Sequence, residues 1–333
     1  MTPAIGCMHL LNMSMMHAAL VDSFGVPPRY GEIAQPEPAE DDVLIRVKAA
    51  ALTNLVRGQA SGTHYSSEPV FPAVPGNDGV GLMPDGTRVY FVGPETGSMA
   101  EWTVVDRRRT IPLPDSLDDV TAAALGNPGL ATWGSLLGRA KFQAGEAVLI
   151  NGATGTAGRQ AIQVAKYLGA SRIVATGRDE AALEGLRDLG ATETISLNGT
   201  DEELSSRFAP VVQGGGIQVV LDYLWGPSAL AILTACGGHG SLRGEPRIRF
   251  VQIGAISGRT LPLPADILRS SGVEILGSGL GSLSAAAILE SLRTMYQAAA
   301  TTRFVIDTEA VPLSEVTAAW TSDTGNRRLV FIP

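Results

Sequence analysis

The sequence predicts an α/β protein in which a doubly wound parallel sheet of the Rossmann type is joined to a second, mainly β, barrel-like domain. Residues 148–179, VLINGATGTAGRQAIQVAKYLGASRIVATGRD, show the order strand, glycine turn, helix, strand. Strand-like and helical segments go on alternating from there to about residue 279, as right-handed crossovers of a parallel sheet require. Residues 69–90 instead contain strand-like pieces separated by repeated proline and glycine turn signals, which favours a small barrel.

The chain opens with a segment that fits neither domain. Residues 1–15 lack a basic region, and their apolar run is too short and broken for a signal peptide or a membrane span, so we expect a disordered appendage. A strand is expected at 17–21, and the alternation in 41–52 predicts a strand of a half-buried antiparallel sheet. Ser116 is a candidate N-cap for the helix that opens the α/β half.

The glycine turn predicts a binding site for a dinucleotide. Val148, Leu149 and Ile150 suit a strand buried on both faces of a sheet. The three glycines of NGATGTAG let the backbone turn sharply and approach a pyrophosphate, and a helix then begins with its free N–H groups facing the phosphates. Strand, helix and second strand around the turn make this a specific signal.

The end of the second strand bears on the choice between NADPH and NADH. NAD-specific sites usually place an acidic residue there, whereas an arginine accommodates the 2′-phosphate of NADP. This chain has Thr176, Gly177 and Arg178, and a guanidinium can form paired, charge-assisted hydrogen bonds to a phosphate. The alternative is that Arg178 is a solvated loop residue and that Asp179 is a helix N-cap or the ribose acid.

Further strands are predicted at 172–176, at 217–222, at 248–254 and from 273, and the loops after them should face the cofactor because ligands bind at the carboxyl ends of parallel strands. Asp222 could equally stiffen the turn to Gly226. A helix at 285–299, a strand RFVID at 303–307 and a final strand RRLVFI complete the pattern. The predicted cofactor-binding residues are Gly152, Thr154, Gly155, Thr156, Ala157, Gly158, Thr176, Gly177, Arg178, Asp222, Ile253, Gly254 and Ser278.

Composition narrows the class of protein. A formal net charge of −8 argues against a nucleic-acid partner, because such affinity rests on lysine and arginine. With only two cysteines, Cys7 and Cys236, there is no disulfide framework and no CxxC pair for a structural metal, so a reducing cytoplasm is expected and no membrane association.

At this point the order of parts resembles the medium-chain dehydrogenase/reductase superfamily, in its zinc-free quinone oxidoreductase branch, to which zeta-crystallin belongs. The resemblance rests on HAALVDSFGVPP, VPGNDGVG, GTRVYF, AALGNPGLATW, the glycine turn and the closing RRLVFIP. It implies a Rossmann domain, 121–279, inserted into a split, GroES-like catalytic domain, 16–120 and 280–333. It also implies a homodimer joined through strand Val273–Gly279.

The glycine turn and Arg178 indicate NADPH as the cofactor, and departures from the wider superfamily indicate that no zinc is bound. Zinc alcohol dehydrogenases place a cysteine near Leu52 and a GHE motif where this chain has Gly76, Asn77 and Asp78, so the soft ligands are absent. Reduction of an electrophilic quinone or α,β-unsaturated carbonyl compound, a small-molecule substrate, is feasible without a metal. The expected step is hydride transfer, with a hydrogen-bond donor at the oxygen that becomes negative.

The residues expected to contact the substrate match the family pattern only in part. Asn54 corresponds to the asparagine of the family pattern VNPVD and is the candidate catalytic residue. The aspartate three positions on is Arg57 here, and the expected aromatic residue is Gln59. His64 and Tyr65 in GTHYSS are candidate substrate contacts, with Tyr65 also a candidate catalytic residue, although a plain surface turn is about as consistent with GTHYSS.

Two other functions stay open on this pattern. One is a non-catalytic NADPH-binding protein with a structural or sensory role, because fold membership does not guarantee activity. The other is a zinc-independent alcohol dehydrogenase or an enoyl reductase of polyketide type.

Overall fold

The computed structural model describes residues 14–213, 216–237, 245–279 and 281–333. These residues group into two compact units, a first unit of residues up to 127 together with 306–333, and a second unit of 128–305. Of the predicted appendage, residues 1–13 lie outside the described residues, whereas Met15 already belongs to the first strand.

The strands are β1 (Met15–Leu20), β2 (Arg29–Ala34), β3 (Asp42–Ala51), β4 (Asp78–Leu82), β5 (Arg88–Val92), β6 (Trp102–Asp106), β7 (Thr110–Pro112), β8 (Ala147–Asn151), β9 (Arg172–Gly177), β10 (Glu193–Ser196), β11 (Val219–Asp222), β12 (Arg247–Gln252), β13 (Gly272–Gly277), β14 (Thr308–Pro312) and β15 (Arg328–Ile332). The α-helices are α1 (Asn54–Ala60), α2 (Asp119–Trp133), α3 (Thr156–Tyr167), α4 (Glu180–Leu189), α5 (Asp201–Val212), α6 (Gly226–Cys236), α7 (Ala265–Arg269), α8 (Ala285–Thr301) and α9 (Val316–Ala319).

The second unit is the predicted parallel sheet. Its strand order is β10-β9-β8-β11-β12-β13, and every neighbouring pair is parallel. The order reverses at β8, which is the topological switch point where dinucleotides bind in doubly wound folds. All five residues of β8 are buried, as a strand covered on both faces requires.

The first unit is mainly β, and this part of the fold prediction is confirmed. A seven-stranded sheet runs β14-β15-β3-β4-β5-β7, with β6 paired to β3, and β1 and β2 form a separate antiparallel hairpin. The strand β3 is central because it pairs with β4, β6 and β15. Its buried side chains Val43, Ile45 and Val47 alternate with more exposed ones, so the period-2 pattern in the sequence predicted this strand.

The strand predicted at 303–307 is wrong. Those residues form no ladder, because Val305 exchanges both backbone hydrogen bonds with the side chain of Gln163, from Val305 N to Oε1 at 2.7 Å and from Nε2 to Val305 O at 2.9 Å. The neighbouring strand is β14, which begins at Thr308.

The structure also groups residues 281–305 with the second unit, whereas the sequence prediction assigned 280–333 to the catalytic domain. The reason is packing by α8. The side chain of Leu283 lies against Gly134 and Gly138, Met295 lies against Gly129, and Ser291 is buried on the same helix. Among the described residues, no helix is both long and apolar enough to cross a membrane.

Candidate functional site

Three neighbouring strands of the second unit end in polar side chains that lie in register. The pairing of β8 with β11 sets Asn151 opposite Asp222, and the pairing of β8 with β9 brings Thr176 alongside. All three residues are fully buried. Thr176 Oγ1 donates to Asn151 Oδ1 at 2.9 Å, and Asn151 Nδ2 donates to Asp222 Oδ1 at 2.8 Å. A continuous hydrogen-bonded network therefore ties the carboxyl ends of three strands together.

This network holds the start of the glycine turn. The backbone N–H of Gly152 donates to Thr176 Oγ1 at 3.1 Å. Gly152 has φ +90°, a left-handed conformation that glycine adopts without strain. Thr176 holds the turn directly through this hydrogen bond, and Asn151 contributes by holding the hydroxyl of Thr176.

Asp222 occupies the turn-stiffening position. Its carboxylate accepts the backbone N–H groups of Leu224 and Trp225 at 3.1 Å. Burial raises the pKa of Asp222 to about 6, and the hydrogen bonds from Asn151 and those backbone groups oppose that rise. Because no part of its side chain reaches solvent, any influence of Asp222 on a cofactor acts through the shape of the turn.

The glycine turn leads into a helix whose first turn is available to an anion. Gly155 is the N-cap of α3 and provides no side-chain cap, and no acidic residue lies in the first turn. The first N–H groups of any helix lack intrahelical partners, and here that includes those of Ala157 and Gly158. A Cβ on Gly158 would lie 2.5 Å from the Cα of Ala153, so only glycine lets the helix start so close to the turn. These features fit the pyrophosphate of a dinucleotide.

The residues after β9 show a capping role for Asp179. Its carboxylate accepts the backbone N–H of Ala182 at 3.1 Å, so Asp179 is the N-cap of α4. Arg178 is exposed, and its guanidinium forms no hydrogen bond or ion pair with any described residue. Its carbonyl oxygen accepts Asn198 Nδ2 at 2.8 Å, which anchors the loop from the neighbouring strand end. The carboxylate of Asp179 is therefore hydrogen-bonded as a helix cap, whereas the guanidinium of Arg178 faces solvent.

The remaining predicted cofactor residues lie on the same edge of the sheet. The methyl group of Thr154 packs so closely on Gly177 that a Cβ there would clash with it, and this contact brings the loops after β8 and β9 together. The N–H groups of Ile253 and Gly254 donate to the carbonyl of Asp222 at 2.8 and 3.1 Å. Ser278, directly after β13, accepts a hydrogen bond from Ser135 Oγ at 2.9 Å. The structure therefore collects the predicted set at one edge.

In the first unit, Asn54 opens α1. The N-cap is Thr53, whose hydroxyl accepts the N–H of Val56, and this cap leaves the side chain of Asn54 exposed. Asn54 and Arg57 line a cavity of about 450 Å³. The candidate catalytic residue thus borders a space large enough for a small molecule.

A directional chain of hydrogen bonds ends on His64. Asn77 Nδ2 donates to Gln59 Oε1 at 2.6 Å, and Gln59 Nε2 donates to Ser66 Oγ at 2.9 Å. Ser66 Oγ lies 2.8 Å from His64 Nδ1, and the backbone N–H of Ser66 donates to the same nitrogen at 3.2 Å. Partial burial lowers the pKa of His64 and so favours the neutral ring. With Nδ1 as acceptor, the proton sits on Nε2 and is available for donation.

Tyr65 is much more open than its neighbour. Its side chain is 71% exposed, and its ring centroid lies 4.1 Å from that of His64. His64 itself is anchored, because its backbone N–H donates to the carbonyl of Gly58 on α1. Residues 62–67 thus form a surface turn, as one of the two interpretations of GTHYSS expected, and this turn carries the neighbouring rings of His64 and Tyr65.

Sequence reasoning missed Asn151, Gln59 and Asn77 as site residues. Asn151 could have been found, because a polar residue directly before the first glycine of the turn is unusual in a strand buried on both faces. Nothing in the sequence indicates that Gln59 and Asn77, eighteen residues apart, meet. Among the described residues, no group of three or more histidine, cysteine or acidic side chains is arranged to hold a metal ion.

Known proteins resemble this chain in sequence and in fold. Residues 157–298 match the zinc-binding dehydrogenase family. A probable NADPH-dependent quinone reductase of Emericella nidulans is 28% identical over 362 aligned positions, which cover 96% of this chain and 100% of that protein. The quinone oxidoreductase of Sus scrofa is 30% identical over 223 positions, 63% of this chain and 67% of that protein. The crystal structure of the quinone oxidoreductase from Thermus thermophilus, also solved with NADPH, superposes with a TM-score of 0.78 at 26% identity and covers 96% of this chain and 100% of that one.

Proposed function

The chain belongs to the medium-chain dehydrogenase/reductase superfamily, in its quinone oxidoreductase branch, and we propose on this basis that it reduces a quinone or an α,β-unsaturated carbonyl compound with NADPH and without a metal. The family resemblance found in the sequence is thereby confirmed. The single observation that carries the proposal is the uncapped glycine turn at the switch point of the parallel sheet, beside an arginine that pairs with no described residue.

The choice of NADPH over NADH rests on Arg178 and Asp179. The carboxylate of Asp179 already accepts the N–H of Ala182 as the cap of α4, which leaves it less acceptor capacity for ribose hydroxyls. The exposed guanidinium of Arg178 can form charge-assisted hydrogen bonds with a 2′-phosphate, and these contribute about 1.5–3 kcal/mol each. The relatives from Emericella nidulans and Thermus thermophilus carry NADPH in their names, which agrees with this assignment.

Arg178→Gln tests this assignment. We expect the variant to bind NADPH about tenfold to a hundredfold more weakly while its affinity for NADH changes little, because only NADPH carries the phosphate. The matched control is Arg269→Gln, which removes the same charge from an exposed position just before β13 and therefore at the amino edge of the sheet. Equal losses for both nucleotides, or an equal loss in the control, would rule out a specific phosphate contact.

A bound NADPH supplies the hydride, and the chain itself holds the substrate and stabilises the charge that develops on its oxygen. In the first unit, His64 is the candidate donor to such an oxygen, because the N–H of Ser66 donates to its Nδ1 and this favours a proton on Nε2. The hydrogen bonds from Asn77 to Gln59 and from Gln59 to Ser66 hold Ser66 in place. The exposed amide of Asn54 orients the same substrate from the start of α1. The ring of Tyr65 lies beside the imidazole, so its hydroxyl group is a second candidate donor.

The purified protein is assayed by the loss of NADPH absorbance with a panel of quinones and enals. We expect NADPH oxidation with at least one of them, unaffected by a chelator. If no member of the panel supports NADPH oxidation above the rate without substrate, the reductase proposal is wrong.

The proposal includes a homodimer and a cytoplasmic location. The strand β13 is the open edge of the parallel sheet, pairing with β12 alone among the described strands, and Ile275 on it is 37% exposed. An exposed edge strand is a template for pairing with a second copy. The buried free thiol of Cys236 suits a reducing compartment.

A further inference from the structure

The cavity of the first unit contains a cation that no described residue balances. It lies beside α1, against the loop that follows β1 and the end of α9, and its volume is about 450 Å³. Arg57 lines it together with Asn54. Arg57 forms no ion pair with a described residue, and its Nε is buried without a hydrogen-bond partner. A half-buried guanidinium with one nitrogen buried and unpartnered favours the binding of an anion.

The charges around Arg57 reinforce this imbalance. Burial lowers the pKa of Arg328 to about 10. The nearby charge of Arg57 lowers it too, as a smaller cause, so the two guanidiniums lie close enough to repel each other. The carboxylate that acts on Arg328 is Asp78, whose own pKa burial raises to about 6. Asp78 therefore offsets part of the charge of Arg328, whereas no described carboxylate acts on Arg57 at the cavity wall.

The rest of the lining suits a flat, mainly apolar molecule. Trp320 and Pro27 provide apolar surface, and Ser61 and Thr63 provide hydroxyl groups. These two hydroxyls are 2.9 Å apart and share the carbonyl of Gly58 as an acceptor. Apolar walls with a few convergent polar groups and one charge are the usual make-up of a small-molecule site.

We propose that this cavity binds the ionised carboxylate or acidic hydroxyl of an aromatic or quinonoid substrate, with Arg57 as the anion partner. The proposal rests on the proposed reductase function and specifies its substrate class. The family pattern has an aspartate at the position of Arg57, so this chain carries the opposite charge there. An anionic substrate gains from that exchange, and a neutral one does not.

The site is tested first by binding alone, without NADPH. The probes are 2-naphthoate and 2-naphthamide, which share a ring system and differ in charge, and their affinities for the whole chain are measured by calorimetry. We expect wild type to prefer naphthoate by about tenfold or more, Arg57→Gln to lose the preference, and Arg57→Lys to keep part of it. The control Arg107→Gln removes the same charge from an exposed turn of the same unit and should keep the full preference. Equal affinities in wild type, or an undiminished preference in Arg57→Gln, would overturn the site.

The substrate class is tested by kinetics with a matched pair of quinones, a benzoquinone with a propanoate side chain and its methyl ester. The readout is the ratio of kcat/KM for the acid to that for the ester, which we expect to fall about tenfold in Arg57→Gln and to stay unchanged in Arg107→Gln. If neither quinone is reduced by any variant, the reductase function fails while the naphthoate result still decides the site. If both are reduced with equal kcat/KM by wild type, the substrate class is wrong although the reductase function stands.

Discussion

Replacing Gly158 by alanine tests the packing of α3 on the glycine turn. The new Cβ would lie 2.5 Å from Ala153 Cα and 2.9 Å from the carbonyl carbon of Ala153. Both contacts are with backbone, which cannot rotate away as a flexible side chain would. Since ordinary contact begins near 3.4 Å, the start of α3 must move by roughly 1 Å.

The magnitude follows from two opposing effects. Overpacking against rigid atoms costs about 1–3 kcal/mol, while alanine is favoured over glycine in a helix by about 1 kcal/mol. We therefore expect the free energy of unfolding to fall by up to about 2 kcal/mol. A shift of about 1 Å in the phosphate-binding turn should weaken NADPH binding by about tenfold to a hundredfold.

Gly185→Ala is the matched control. Gly185 is exposed on α4, and no atom lies within 4 Å of the position that a Cβ would take there, so the same substitution should stabilise the protein by up to about 1 kcal/mol and leave NADPH affinity unchanged. Urea denaturation gives the stabilities, and NADPH fluorescence gives the affinities. If Gly158→Ala were as stable as Gly185→Ala and bound NADPH like wild type, the close packing of α3 on the turn would be refuted.

Three further outcomes are expected. Gln59→Leu leaves the amide of Asn77 without its acceptor and should lower the free energy of unfolding by about 1–2 kcal/mol, measured with urea; unchanged stability would mean that the hydrogen-bonded chain to His64 contributes nothing. The pKa of Asp222 in the folded protein is about 6, above its ordinary 3.8, so its stabilising contribution is complete below the lower value and is lost as the pH rises through 6. Asp222→Asn should therefore reduce the fall in stability between pH 5 and pH 8 by about 1.4 kcal/mol, and an unchanged fall in matched denaturation curves would contradict the raised pKa. Ser278 donates its N–H to β12, so strand alternation turns the N–H of Ile275 outward. On the proposed pairing through β13, we expect wild type and an Ile275→Thr control, which keeps the N–H, to sediment as dimers and Ile275→Pro as a folded monomer; a monomeric wild type would refute the pairing.

Much of the fold could be predicted because it is encoded locally. The period-2 alternation of β3, the apolar run of β8 and the glycine spacing after it each depend on residues that are neighbours in sequence. The strand expected at 303–307 failed for the opposite reason. Its β-branched residues suit a strand, but its hydrogen bonds go to Gln163, about 140 residues earlier.

The candidate sites divide in the same way. The sequence by itself determined that a nucleotide turn is present and that Arg178 follows the second strand, since both depend on short motifs. Only the tertiary structure decided that Asp179 is a helix cap, that Asp222 is buried before a turn, and that Asn77 and Gln59 form a hydrogen-bonded chain reaching His64. Hydrogen-bond partners and burial depend on which distant segments meet, and no local pattern specifies them. The unbalanced charge of Arg57 is of this kind, because an arginine reveals a missing partner only when its surroundings are known.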